Sequence, residues 1–112
     1  MTMPNAHLAI VEQDKIAGYL LNPAHPDNGG KAAFFLSLGF RSAGWPALAA
    51  ALCKLGATDT VIKNVASPHG CKYVLDGRME TPCGNRPVVR TVWIVDEGLP
   101  APRLVTAYPH EE

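Results

Sequence analysis

The run Val88-Val-Arg-Thr-Val-Trp-Ile-Val95 restricts the fold more than any other stretch of the chain. It is rich in β-branched and aromatic residues and largely apolar on both alternating faces, which predicts a strand in the middle of a sheet. A central strand needs partners. Thr58-Asp-Thr-Val-Ile-Lys-Asn-Val65 alternates, Ser67-Pro-His-Gly70 makes a tight turn, and Cys71-Lys-Tyr-Val-Leu75 runs back, so a hairpin is predicted ahead of it. Arg103-Leu-Val-Thr-Ala-Tyr108, stopped by Pro109, is the predicted strand after it.

A sheet must bury a face, and the first half of the chain supplies the cover. Before Ala57 the apolar period is helical. Glu12, Gln13 and Asp14 start a helix through Leu21 with Ile16, Tyr19 and Leu20 on one face; Lys15 lies one turn before Tyr19, and Pro23 ends the helix. A second helix, Lys31 to Leu38, turns Phe34, Phe35 and Leu38 inward and stops at Gly39-Phe40, where Phe40 can fold back on Phe35. A third opens at Trp45-Pro46, repeats Leu48, Leu52 and Leu55, and is expected to close at Gly56. Three N-terminal helices followed by a four-stranded antiparallel sheet, with the helices on one face, define an α+β fold.

With 112 residues, 47% hydrophobic and 18% charged, the chain is expected to form one domain over residues 1–112, frayed at 1–6 and 110–112. No stretch reaches the ~18 apolar residues of a membrane span, and the first residues lack the basic and apolar regions of a signal peptide; a cytoplasmic location without a membrane partner is expected. Ten basic and ten acidic residues cancel, so a polyanion would have to be met by a local patch. Cys53, Cys71 and Cys83 have no C-x-x-C spacing, and neither a zinc site, a disulfide framework nor a cofactor is expected.

No phosphate loop of the Gly-x4-Gly-Lys-Ser/Thr form, His-Glu-x-x-His pair or nucleophile elbow occurs, so candidate chemistry rests on constellations. In Asn22-Pro-Ala-His-Pro-Asp-Asn-Gly-Gly-Lys31, Asp27 or Asn28 can cap the second helix and the glycines let a ligand approach the backbone. Lys31 in the first turn opposes the helix dipole by roughly 0.3–1 kcal/mol unless an anion sits there. His25, between Pro23 and Pro26, is the better histidine candidate; His7 and His110 read as exposed ends and His69 as a turn residue. Arg90 in a central strand needs a partner, Asp76 or Glu80, or a bound anion. Strict alternation puts Leu104, Thr106 and Tyr108 on one face of the last strand, and only one of Lys72 and Tyr73 can join a site on a given face.

The candidate set is therefore His25, Arg90, Thr106 and Tyr108 as catalytic groups, with Gly30, Lys31, Lys72 and Tyr73 as substrate or phosphate contacts. Each also has an ordinary structural reading. Arg90 can be ion-paired, Tyr73 and Tyr108 core or rim aromatics, and Thr106 a strand former.

The run Lys15-x3-Tyr19-Leu-Leu-Asn-Pro-x-His25-Pro, followed by Gly30-Lys31-Ala-x-Phe-Phe-x-Ser-Leu-Gly-Phe40, Lys72-Tyr73-x3-Gly77, Arg90-Thr-Val-Trp-Ile94 and Pro102-Arg-Leu-Val-Thr-Ala-Tyr-Pro109, resembles a small bacterial family, the domain of unknown function 6883. The resemblance spans nearly the whole chain, with His69 a departure from the commoner pattern. In architecture and in the closing Thr-Ala-Tyr-Pro, such members are similar to ribonuclease domains of bacterial toxins of the barnase, colicin D and RelE-like group. The resemblance implies a toxin module with a cognate antitoxin or immunity protein as partner.

The function expected is a metal-independent endoribonuclease acting on RNA, such as a single tRNA loop. His25 would take the ribose 2′-hydroxyl proton, Arg90 and Lys31 would stabilise the phosphorane, and Tyr108 or Thr106 would orient phosphate or protonate the leaving oxygen. The rival readings are a non-catalytic module binding a protein partner and an enzyme that uses the glycine turn for a small phosphorylated substrate.

Overall fold

The structure is a computed structural model that describes residues 2–27, 29–58 and 60–110. Four strands, β1 (Val61–Ser67), β2 (Gly70–Arg78), β3 (Val88–Asp96) and β4 (Arg103–Pro109), form one antiparallel sheet in the order β1-β2-β3-β4. Short connections between sequential strands make this the simplest antiparallel arrangement, and β3 lies inside the sheet as its sequence demands. Its inner face carries Val89, Thr91 and Trp93, all fully buried, while Val88, Arg90, Val92 and Ile94 remain half-buried on the outer face. Among the described residues Thr91 is the one buried polar residue, and its Oγ1 accepts the Trp93 indole N–H at 2.9 Å.

The helices cover the inner face. A short α1 (Gln13–Lys15) runs directly into a π turn, Ile16–Leu20, closed by the Leu21 N–H donating to Ile16 O at 2.8 Å. The wider turn buries Ile16, Leu20 and Leu21 together and leaves Tyr19 on its flank. Asn22 then bonds Gly18 O through its amide and accepts from the Ala24 N–H, shaping the loop that carries His25. Helix α2 (Lys31–Ser37) buries Ala32 and Phe35 and stops at Gly39, whose positive φ of 99° suits glycine; Phe40 follows, buried. Gly30 occupies the cap position of α2 in a left-handed conformation and has no side chain to cap it; Asp27 does not cap it, and Asn28 lies outside the described residues.

Helix α3 (Trp45–Thr58) corrects the expected stop at Gly56, which lies inside the helix and is buried. A Cβ there would sit 2.7 Å from Trp93 Cζ2, so the glycine is needed for close helix-to-sheet approach rather than for chain reversal. At the N-terminus, Met3 is buried in the same core cluster although residues 1–6 were expected to fray, and Ile10 adds a parallel bridge to Arg103 on the β4 edge. No helix of the described residues is long and apolar enough to cross a membrane.

β1 is irregular at Ile62, and the departure from strict alternation that bears on the site is in β4. Val92 pairs with Thr106 but Trp93 pairs with Leu104, so Val105 is an extra residue, a β-bulge. Leu104 and Ala107 are thereby buried on the inner face, whereas Thr106 and Tyr108 stand on the outer face, opposite Val92 and Arg90. Leu104 does not share a face with Thr106 and Tyr108, as unbroken alternation would require.

Gly56→Ala is expected to lower stability by about 1–2 kcal/mol, because overpacking against the rigid buried Trp93 ring outweighs the gain of about 1 kcal/mol in helix propensity. Urea unfolding checks this, and in a Trp93→Phe background the same substitution is expected to be neutral or stabilising.

Candidate functional site

At the edge of the sheet, the bulge brings Thr106 beside the π turn. The Tyr19 hydroxyl and Thr106 Oγ1 share a hydrogen bond of 3.0 Å across 87 residues of sequence. Lys15 Nζ lies 5.4 Å and Lys31 Nζ 5.3 Å from the centroid of the Tyr19 ring, within cation–π range. The His25 ring meets Tyr19 edge to face, centroids 5.0 Å apart. Its Nδ1 accepts the Asp27 backbone N–H at 3.1 Å, so in the neutral ring the proton sits on Nε2 and His25 offers a donor rather than a lone pair. A cleft of about 740 Å³ lies over this cluster, bordered by Arg103 and by the acids Glu12, Asp14 and Asp27. Burial raises the Tyr19 phenol's pKa, but hydrogen bonds with Lys31 and Thr106 and the charges of Lys31 and Lys15 outweigh it and hold the phenol below its ordinary value of 10.0.

A second cluster lies on the outer face. Asp76, Arg90 and Tyr108 are cross-strand neighbours in one row. Arg90 grips Asp76 bidentately, Nε to Oδ1 at 2.7 Å and one terminal nitrogen to Oδ2 at 2.9 Å, with Tyr108 directly across the ladder on its other side. His110 completes the group, with Nε2 3.1 Å from the same terminal nitrogen and its backbone N–H bound to Val88 O; it is not the loose end expected of it. The paired carboxylate holds the guanidinium firmly charged, and that hydrogen bond in turn pulls the Asp76 carboxyl below its usual range despite its burial.

Of the residues singled out in the sequence, His25, Lys31 and Thr106 meet around Tyr19. Tyr108 adjoins them through a smaller cleft that it shares with Pro109, Gly29, Gly30 and Lys31. Arg90 lies behind Tyr108, its charge engaged by Asp76 rather than Glu80, which pairs with Lys54 at 2.9 Å. Lys72 shares the outer face but stands opposite Ile94, across two strands from the Tyr19 cluster. Tyr73 faces inward opposite Trp93, packed against the core. The residue missing from the candidate set is Tyr19 itself. Its signal was the Lys15-x3-Tyr19 spacing, which sets an ammonium over a ring one turn later. Among the described residues no three His, Cys, Asp or Glu side chains are grouped to hold a metal ion.

The family model of a domain of unknown function (DUF6883) matches residues 2–111, and the chain belongs to that family. No curated protein matches the sequence. Among solved structures, a chain of the contact-dependent growth inhibition toxin–immunity protein complex from Klebsiella pneumoniae 342 has the same fold, with a TM-score of 0.74 at 17% identity over 96% of this chain and 97% of that one.

Because the folded Asp76 carboxyl has a lowered pKa, its pairing contributes stability above its unfolded value near pH 3.9, and that contribution is lost as pH falls through the folded pKa. Asp76→Asn is expected to cost about 1–3 kcal/mol at pH 7 and to flatten the decline in urea midpoint below about pH 4 that is expected of the parent protein.

Proposed function

We propose that this domain is a toxin-type endoribonuclease, cleaving RNA at the Tyr19 cleft and held in check by a cognate antitoxin or immunity protein. One observation carries the reading: a phenol of lowered pKa, hydrogen-bonded to Thr106, lies between two ammonium groups in an open cleft at the sheet edge. Phosphodiester transesterification needs those parts. A base takes the 2′-hydroxyl proton, cations meet the charge that builds on the phosphorane oxygens, and an acid protonates the departing 5′-oxygen.

In this reading the Tyr19 phenolate is the base and the Lys31 ammonium the acid. The 2′-oxygen bonds to phosphorus as its proton passes to Tyr19, the bond to the 5′-oxygen breaks, and that oxygen takes a proton from Lys31. A proton then returns from Tyr19 to Lys31 and resets the pair. Lys15 and the Thr106 hydroxyl hold the phosphate, and His25 donates from Nε2 rather than acting as the base. Arg90, neutralised by Asp76, positions Tyr108 instead of meeting the phosphorane directly. Zero net charge is compatible with this role because the cations are local, and single-stranded RNA is read by stacking and base edges as well as by phosphate contacts.

The fold of a chain in a toxin–immunity protein complex supports the partner half of the proposal. A non-catalytic partner-binding module is the second reading, favoured by the half-exposed apolar stripe Val74, Val92 and Ile94 on the outer face of the sheet.

Purified protein incubated with total RNA in chelator is expected to leave 2′,3′-cyclic phosphate and 5′-hydroxyl ends. Tyr19→Phe and Lys31→Ala are each expected to slow cleavage by about 10²–10⁴-fold. The rate should climb with pH and level off below pH 10, since only the phenolate is active and its pKa is lowered. Intact RNA together with stoichiometric binding of a partner protein overturns the nuclease in favour of the module.

A further inference from the structure

Lys31 stands between Tyr19 and a second cleft. Its ammonium lies 5.3 Å from the centroid of the Tyr19 ring, which lines the first cleft, and its side chain joins Gly29, Gly30, Tyr108 and Pro109 around a second of about 450 Å³, within the roughly 300–1,000 Å³ range of small-molecule sites. The second cleft has a different chemistry from the first. Among the described residues no acid lines it, its one charge is Lys31, and its remaining lining is one aromatic ring, one proline and two glycines. The space above Gly30 is open, since a Cβ built there would meet nothing within 4 Å. Tyr108 is half-buried and stands directly across the ladder from Arg90, which Asp76 grips in turn, so its ring is seated on a sheet position beside a side chain that is itself held.

We infer that this second cleft is a nucleobase subsite, in which the base next to the reacting phosphate stacks on Tyr108 while Lys31 holds the phosphate between the two clefts. The inference rests on the RNA-cleaving reading of the Tyr19 cleft and deepens it. A rigid aromatic beside a cation is the pairing that single-stranded nucleic acid uses, with the ring taking the base and the ammonium the backbone. Stacking on a single ring accepts any base, so the subsite favours unpaired nucleotides over duplex without selecting a sequence. In this arrangement Arg90 and Asp76 are positioning residues. They act on RNA through the orientation of Tyr108.

The test is a binding ratio measured on the full chain by fluorescence anisotropy. The probe is a short single-stranded RNA with 2′-O-methyl groups, which cannot be cleaved, compared with the same strand carrying one abasic residue moved along its length. At one position the abasic strand is expected to bind about 5- to 150-fold more weakly. Tyr108→Ala should bring that ratio to about 1, and Tyr108→Phe should keep it above about 5 whatever happens to absolute affinity. Tyr108→Leu, which retains more volume on the strand, replaces the alanine variant if that one melts below the assay temperature. A ratio of about 1 at every position in the parent protein, a ratio indifferent to Tyr108→Ala, or equal loss in the phenylalanine and alanine variants overturns the subsite. Cleavage of total RNA without a base-dependent ratio removes the subsite and leaves the nuclease standing. A Tyr108-dependent ratio without cleavage does the reverse and leaves an RNA-binding cleft.

Discussion

Val105 has no partner on β3, and the consequences run through the whole molecule. With Trp93 opposite Leu104, an unbulged β4 would set Thr106 against Thr91 in the core and turn Tyr108 inward after it. The extra residue reverses both. Leu104 still fills the core beside Trp93, Ala107 takes the small inner space near Thr91, and the two hydroxyl side chains emerge on the face of Arg90. A bulge on an edge strand costs ladder hydrogen bonding locally, which is tolerated because the edge has other partners: Ile10 bridges Arg103, and both α1 and α2 contact β4.

The π turn is the complementary irregularity on the helical side. A regular α-helix through Leu21 would leave the helix one residue out of step, whereas the wider turn buries Ile16, Leu20 and Leu21 at once and holds Tyr19 against Thr106. Two local departures from regular geometry thus meet in one hydrogen bond. The cleft carries charges of both signs, Lys15 and Arg103 with Glu12, Asp14 and Asp27, and Lys31 adds a second ammonium against the Tyr19 ring, so the cations gather at the phenol rather than spreading into a basic surface.

Arg90 illustrates how a sequence argument can show that a residue needs a partner and leave the partner open. An arginine amid valines on an internal strand had to have a partner, and Asp76, directly across the ladder, is that partner. The bidentate pair satisfies the guanidinium and leaves it hydrogen-bonded to His110 and across the ladder from Tyr108. The choice between Asp76 and Glu80 depended on register, which residue types alone do not supply. The same holds for Lys72 and Tyr73, whose opposite faces were legible from alternation but whose assignment to the outer and inner side was not.

The α+β order, the four strands and the core faces of the helices were legible because apolar period is a local property of the chain, written into Ile16 and Leu20, Phe35 and Leu38, Leu48, Leu52 and Leu55, and the alternation of β3. His25, Lys31 and Thr106, singled out from their residue types, are brought together around Tyr19. Tyr19 as the centre of the cluster, Gly56 as a packing glycine and His110 as a partner of Arg90 were not legible, since each depends on a contact between segments distant along the chain. The sequence by itself determined which elements form and which residue types are available for chemistry. Tertiary structure decided which of them meet, because one bulge and one wide helical turn, each a single-residue change of register, select the face on which a side chain stands.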